Sequence, residues 1–459
     1  MTLTERLLAL WDHLGIERAH VATAMTGDVA GLAAAAPERI AGLTLCVPSR
    51  LDPTPFAAIA ARMLMIAGAR GMTEEVTARA EARLPGSVRM VMPGYDAPGW
   101  ADVVSDRTAE IVGTMAGFLA GFPASVPTHK QGSFEGITYR MSGTGPALVL
   151  LPFFLAPTQW EAALPALAEN FTLIVLGGRH LGGVAALEDR ALAPSYRGMV
   201  RTLLDTMAPA PGETILDVGC GSGALDRMLA ERYGAANPIT ATDLNPFLLK
   251  EAEALAREEG LAATIAFQHA NAESLPFPDG SFDCAFSVTV LEECDADRAL
   301  RELHRVVRPG GRVGVIVRAV DMPQWWHLNL PEKLRRSVEI PPQSVGAKGV
   351  ADASLYRRMR AAGFDKVTCF PSLVTLDRPA GPIWRYREDH VLSGLSPEDT
   401  ATWRAATQES RAEGLLFMAH PMHCAVGTKA AVRSNRGGGP DPYAVMINFD
   451  NASGSVSIG

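Results

Sequence analysis

The stretch Thr214-Ile-Leu-Asp217-Val-Gly219-Cys-Gly221-Ser-Gly223-Ala224 is the part of this chain best equipped for chemistry. An apolar run ends around an acid, three glycines alternate with other residues, and a helical pattern covers Leu225–Arg232. Glycine lets a chain turn tightly and lets a ligand approach the backbone, while a helix start offers free N–H groups. Alone, Gly219-x-Gly221-x-x-Ala224 also fits a loose dinucleotide fingerprint or a simple tight turn. A second apolar run, Ile239–Thr242, ends in Asp243. A carboxylate there has two oxygens with which to accept both hydroxyls of a vicinal diol, such as that of an adenosyl ribose.

Two further motifs follow: His269-Ala-Asn271-Ala-Glu273-Ser-Leu-Pro-Phe-Pro-Asp279-Gly-Ser-Phe-Asp283 with the apolar run Cys284–Leu291, and Val306-Val-Arg308-Pro-Gly-Gly-Arg312. With these motifs in this order, residues 195–430 resemble the class I S-adenosylmethionine (SAM) dependent methyltransferases, specifically the small-molecule group that includes ubiquinone/menaquinone-type enzymes. The resemblance implies SAM as cofactor. It places Asp217, Gly219 and Gly221 around the methionine moiety, Asp243 on the ribose, Leu244 beside adenine and Ser287 towards the methionine end. Ala272 and Glu273 would frame the ring edge. Asn271 stands where the family usually has Asp; its amide oxygen still accepts a bond from the adenine amino group, without the charge. Leu291-Glu292-Glu293 departs from the family, which often has His at the last position. The family also implies an antiparallel strand, for which Met422–Thr428 is the candidate.

Methyl transfer needs mainly alignment of nucleophile, carbon and sulfur, which can supply ~7–11 kcal/mol of the barrier. A general base is required only where the acceptor carries a proton. The segment Asp321-Met-Pro-Gln-Trp325-Trp326-His327-Leu-Asn-Leu-Pro, after the fifth strand, offers Trp325, Trp326 and His327 as an acceptor pocket, with His327 as candidate catalytic base. The plainer alternative is that the tryptophans pack and His327 is merely hydrogen-bonded. Tyr196 and Arg197 either cover the cofactor carboxylate or form a solvated pair.

Stepping to the elements that must hold these residues, strands are predicted at 214–218, 238–242, 264–268, 282–287 and 312–317, mostly alternating with helices. Such alternation means βαβ units and a parallel sheet. The first half reads as the helix Leu7–Leu14, short strands at His20–Met25, Leu43–Val47, Met63–Ala67 and Val88–Met92, and the helix Thr108–Phe122. Strands Ala147–Leu151 and Thr172–Leu176 follow. Leu8–Val21 with Ala35–Ile40, then Met63–Thr73 and Val88–Trp100, resemble the nucleophile, acid and histidine regions of α/β-hydrolases. Tyr139-Arg-Met-Ser-Gly-Thr-Gly-Pro resembles that family's opening. The order implies a circularly permuted hydrolase-like domain, with residues 135–190 sharing a sheet with residues 20–94. Its triad is missing: Met25 stands at the serine of Thr23-Ala-Met-Thr-Gly27, Gly71 at the acid, and no histidine lies around Pro93–Pro98.

The 459 residues suit two or three domains. The expected fold is α/β: a doubly wound, mostly parallel, Rossmann-like methyltransferase domain at 191–432, a hydrolase-like domain at 1–190 with a linker at about 123–134, and a flexible tail at 433–459. Forty-two basic against 50 acidic residues give −8, which argues against nucleic acid as partner. No apolar run is long enough for a membrane span, and no signal-peptide pattern precedes the first helix. Six scattered cysteines point to a reducing cytoplasm and to no metal site. The expected function is methyl transfer from SAM to a small apolar or aromatic acceptor, in a chain that can form a homodimer. The alternatives are a non-methylating reaction or non-catalytic SAM binding, with the first half as ligand pocket or lid.

Overall fold

A computed structural model describes residues 2–96, 103–127, 132–339, 345–377, 379, 381–431, 447–449 and 456–458. The chain opens with α1 (Leu3–His13), started by a reciprocal cap in which Thr2 Oγ1 accepts from Glu5 N and the Glu5 carboxylate accepts from Thr2 N. The elements β1 (Ala19–Thr23), α2 (Thr26–Ala35), β2 (Ile40–Cys46), β3 (Met63–Gly68), α3 (Met72–Glu81), β4 (Val88–Met92), α4 (Val103–Asp106) and α5 (Thr108–Leu119) follow. Then come β5 (Gly132–Phe134), β6 (Ile137–Ser142), β7 (Ala147–Leu150), α6 (Leu164–Leu167) and β8 (Thr172–Gly177).

All eight strands form one sheet in the order β4-β3-β2-β1-β7-β8-β6-β5. Residues 135–190 and 20–94 therefore do share a sheet, joined where Ala22 on β1 pairs with Leu150 on β7. Strands β1, β2, β3, β7 and β8 are buried along their whole length, which is why they are mostly apolar without alternation: helices cover both faces. β6 is antiparallel to β8 and alternates buried with exposed positions. The expected linker is only partly one. Gly132–Phe134 is a strand, and Ser125 is laced between β1 and β7, its N–H on Arg18 O (2.8 Å) and its carbonyl on Ala147 N (2.7 Å).

The second sheet follows α7 (Gly182–Leu192) and α8 (Pro194–Met207). Its elements are β9 (Ile215–Val218), α9 (Ala224–Tyr233), β10 (Ile239–Asp243), α10 (Pro246–Glu258), β11 (Ile265–His269), β12 (Phe282–Val288), α11 (Ala296–Val306) and β13 (Val307–Arg318). After these come β14 (Trp325–Trp326), α12 (Glu332–Glu339), α13 (Leu355–Ala361), β15 (Phe364–Leu376), α14 (Pro382–Ser393), α15 (Pro397–Ala412) and β16 (Met418–Lys429). The strand order is β11-β10-β9-β12-β13-β16-β14, with β15 also on β16. β9 to β13 are parallel, and β16 is the antiparallel strand, pairing Met422 with Arg318 and Thr428 with Arg312.

Each sheet has its own apolar clusters on its two faces, so the chain holds two α/β units. The expected boundary at 190/191 falls inside α7, a helix that packs on both units. Among the described residues no helix is long and apolar enough to cross a membrane. Of the tail, the described residues are β17 (Ile447–Phe449) and β18 (Val456–Ile458), an antiparallel pair; the rest of 433–459 lies outside the described residues.

Candidate functional site

In an open parallel sheet, ligands bind beyond the carboxyl ends of the strands where the order reverses. Here that point lies between β9 and β12, and the glycine loop sits on it. Gly219, Gly221 and Gly223 all have positive φ (88°, 57° and 71°), a region open to glycine and costly for other residues. At Gly219 crowding adds to this, since a Cβ would lie 2.1 Å from Val290 Cγ2. The loop is tied to the neighbouring strand: Gly219 N and Cys220 N both donate to Thr242 O (2.7 and 2.8 Å), and Thr242 Oγ1 donates to Asp217 O (2.8 Å).

Asp243 ends β10 and does local work first. Its carboxylate accepts from Gly221 N and from Asn245 N, each at 2.8 Å, bracing the loop against the start of α10. A carboxylate has about four lone-pair sites, so capacity for a diol remains. Leu244 beside it is a large apolar side chain left 59 % exposed, as a residue that covers a ring would be. Asn271 is exposed, and its side-chain oxygen already accepts from Glu273 N (2.9 Å), leaving one lone pair for an amino group. Ala272 is half-buried next to it. Ser287 is buried, and its hydroxyl donates to Val218 O (2.8 Å), so this side chain serves as a strut between β12 and β9.

The electrostatics are acidic at the loop's base. Asp217 is buried and its pKa lies well above the usual carboxylate range, first because of desolvation and then because Asp226 and Asp243 are close. Asp226, in the first turn of α9, is pushed up to about 7 by burial. Its carboxyl lies beside that of Asp217, with the Arg227 guanidinium acting on it as well. Two buried carboxyls so placed hold protons more readily than free ones, and a cation beside them would relieve their repulsion.

The same unit holds more buried polar atoms without hydrogen-bond partners among the described residues: the Tyr196 hydroxyl, which acts on Asp217, and Arg190 Nε, Glu292 Oε2 and His420 Nε2. The Arg190 guanidinium lies 5.0 Å from the centre of the Tyr196 ring. Burial holds His420 neutral, well below the ordinary histidine range. Buried polar groups are normally satisfied, and leaving one unmet costs ~1–3 kcal/mol. Buried acids together with an unsatisfied guanidinium nitrogen and phenol suit a ligand that carries both charges, as SAM does.

The segment expected to form the acceptor pocket divides. Trp326 is buried, edge-on to Trp384 (5.5 Å between ring centres) and Trp403 (4.9 Å). Trp325 is 52 % exposed, and His327 lies at the surface with its ring stacked on Phe417. A cavity of about 530 Å³ lies between α12, α14 and α15. Its apolar wall is Leu334, Val338, Val391 and Leu395, and none of Trp325, Trp326 and His327 lines it. Sequence reasoning missed Asp226 and Arg190, and the burial of Glu292. An acid in the first turn after a glycine loop was a usable signal for Asp226; α7 carries no local signal at all, because its role comes from where it folds back.

Comparison with known proteins agrees with this geometry. A methyltransferase domain model matches residues 216–315, from β9 to β13. The chain is 31 % identical over 197 residues to the ubiquinone/menaquinone biosynthesis C-methyltransferase UbiE of Serratia proteamaculans (strain 568), covering 38 % of this chain and 75 % of that one. It is 36 % identical over 122 residues to UbiE of Hahella chejuensis (strain KCTC 2396), covering 26 % and 49 %. It thus spans three quarters of the first relative and about half of the second and of several others. The solved [4+2]-cyclase SpnF aligns with 23 % identity and a TM-score of 0.34, over 52 % of this chain and 82 % of that one, a likeness too low to support an inference.

Proposed function

The chain belongs to the class I SAM-dependent methyltransferases, and on that premise we propose that it methylates a small apolar or aromatic acceptor. SAM, when bound, supplies a methyl group made electrophilic by the sulfonium. The chain's own residues do the placing: Asp243 and Leu244 hold the adenosyl end, and Asp217 with Asp226 offers negative charge to the cationic end. Arg190 and Tyr196 meet the carboxylate. The 530 Å³ cavity between α12 and α14 is within the size range of small-molecule sites, and its half-apolar wall suits a ring compound. The C-methyltransferase names of the relatives favour carbon as the accepting atom. His420, buried and neutral, is better protected for proton transfer than surface-exposed His327.

The observation that carries this reading is the glycine loop at the reversal of strand order, lying over the buried acids Asp217 and Asp226. Incubation with methyl-labelled SAM and a panel of phenols, quinols and enols tests it. Label in a product heavier by one methylene supports methyl transfer; SAM binding with transfer to none of them favours a non-methylating role.

We also read the first sheet as a permuted α/β-hydrolase-like domain without hydrolytic function. Taken from β5 through β8 and then from β1 to β4, its strands give a spatial order of 1-2-4-3-5-6-7-8. The β1–α2 turn is the strand–turn–helix position at which such enzymes carry a nucleophile, and Met25 occupies it. A thioether cannot be usefully deprotonated or acylated.

A further inference from the structure

Helix α7 is seated at both ends, and this inference rests on the glycine loop being the SAM site. At its start, Gly182 N donates to Asp28 Oδ2 (3.0 Å) and Gly183 N donates to Phe154 O (2.9 Å), both partners belonging to the first unit. The fit leaves no room for a side chain: Gly182 has φ +63°, and a Cβ there would lie 2.7 Å from Pro152 Cβ. Six residues on, about 9 Å along a helix, Glu188 Oε1 accepts from Ser222 Oγ (2.6 Å) inside the glycine loop. Its other oxygen accepts from Arg227, which also donates to Ser222 O (2.8 Å). Leu187 Cδ1 lies 3.1 Å from where a Cβ on Gly221 would be. Next in line, Asp189 Oδ2 accepts from Ile383 N (3.2 Å) at the start of α14. An apolar seam of Leu155, Val184, Leu187, Leu248 and Leu255 fills the space between.

We propose that Asp28 is a positioning residue for the SAM site: by holding the first turn of α7 it sets where Glu188 meets Ser222, so the first half of the chain tunes the glycine loop of the second. Asp28 belongs to α2, the helix that follows the turn bearing Met25, and it is buried. A buried hydrogen bond to an ionised group is among the stronger single contacts, and a rigid helix transmits a displacement at one end to the other. The seam's outer ion pairs, Lys250–Glu161 (2.6 Å) and Arg404–Asp52 (3.6 Å), join well-exposed side chains and contribute little.

The test uses the full chain and SAM affinity by calorimetry, with near-UV circular dichroism and thermal melts to certify folding. Asp28→Ala and Glu188→Ala are each expected to weaken SAM binding about tenfold or more, the loss of a buried charged hydrogen bond. Asp28→Asn, whose amide oxygen still accepts from Gly182 N, is expected to stay within about threefold of wild type, and Lys250→Ala within about twofold. The decisive readout is the pair: Asp28→Ala with Glu188→Ala is expected to bind no more weakly than the worse single variant, whereas independent losses would multiply. If Asp28→Ala does not fold, Asp28→Ser replaces it in the cycle, polar but too short to reach Gly182 N. Wild-type affinity in the Asp28 variants, or multiplying losses, overturns the proposal while leaving the SAM site standing; a wild-type chain that binds no SAM overturns the site itself.

Discussion

Two strand-to-helix turns, β1 to α2 and β9 to α9, occupy equivalent places in the two sheets yet differ in almost every side chain. At the first, Thr23 Oγ1 donates to Pro152 O and accepts from Met25 N, Thr26 Oγ1 donates to Arg50 O, and Asp28 holds Gly182. Met25 has φ −88°, an ordinary conformation. Thr23, Thr26 and Asp28 thus find their partners within the protein. At the second, three glycines take positive φ, and Asp226 in the first turn of α9 keeps both carboxyl oxygens without hydrogen-bond partners among the described residues. A site built for a ligand leaves groups for the ligand to satisfy, whereas a turn with a structural role closes on itself. The architecture is shared; the function follows the side chains.

The largest test of this contrast is a pair of glycines. Gly219→Ala should cost ~2–4 kcal/mol in stability or SAM binding, from a left-handed backbone and a collision with Val290. Gly27→Ala, at the first turn, meets open space and should change stability by less than ~0.5 kcal/mol. Equal effects in thermal melts and calorimetry would erase the distinction between the turns.

Next in size, Asp243→Ala should weaken SAM binding by more than ~1.5 kcal/mol, because a charged acceptor for the ribose is lost. Unchanged affinity by calorimetry would remove Asp243 from the site. Smaller again is a pH effect at the seam joining the two units. Arg50 Nη2 meets His390 Nδ1 at 2.8 Å, and burial followed by Arg50, Arg387 and Arg318 lowers the His390 pKa to about 4. The folded state thus disfavours the imidazolium, so this contribution is fully present above pH ~6.5 and is lost as pH falls towards 4. As the ring is only half-buried, His390→Gln should flatten the stability–pH curve over that window by no more than ~1 kcal/mol. Urea melts from pH 4 to 7.5 check this, and an unaltered slope contradicts it. Finally, Met25→Ser should yield no ester hydrolysis above background, since acid and base are also missing; turnover of a nitrophenyl ester would show the first unit to be nearer catalysis than its sequence implies.

Much of this was legible beforehand because the information is local. Buried parallel strands announce themselves as apolar runs, and β9, β10, β12, β13 and β16 fall within a few residues of where their patterns place them. The glycine loop and Asp243 were legible for the same reason: turn geometry and a strand-end acid are written within a few positions. Tyr196 was visible as a residue but not in its buried state beneath Arg190. What stayed hidden was long-range. Nothing near Glu188 says that it meets Ser222, and nothing near Trp326 says that Trp384 and Trp403 close around it. Exposure misled as well, since an aromatic pair beside a histidine reads as a pocket whether or not the chain turns it inward; Trp325 and His327 are turned outward.

The pairing of Ala22 with Leu150 also bears on how the molecule is made. β1 has β2 on one side early in synthesis, but its other edge waits for β7, after the whole of α5 has left the ribosome. During that interval one edge of β1 is open, and unpaired strand edges are the kind that pair with neighbouring chains. Slow, late-closing assembly follows from such distant partners, and a host supplying a chaperone that shields nascent strands would raise the yield of native protein.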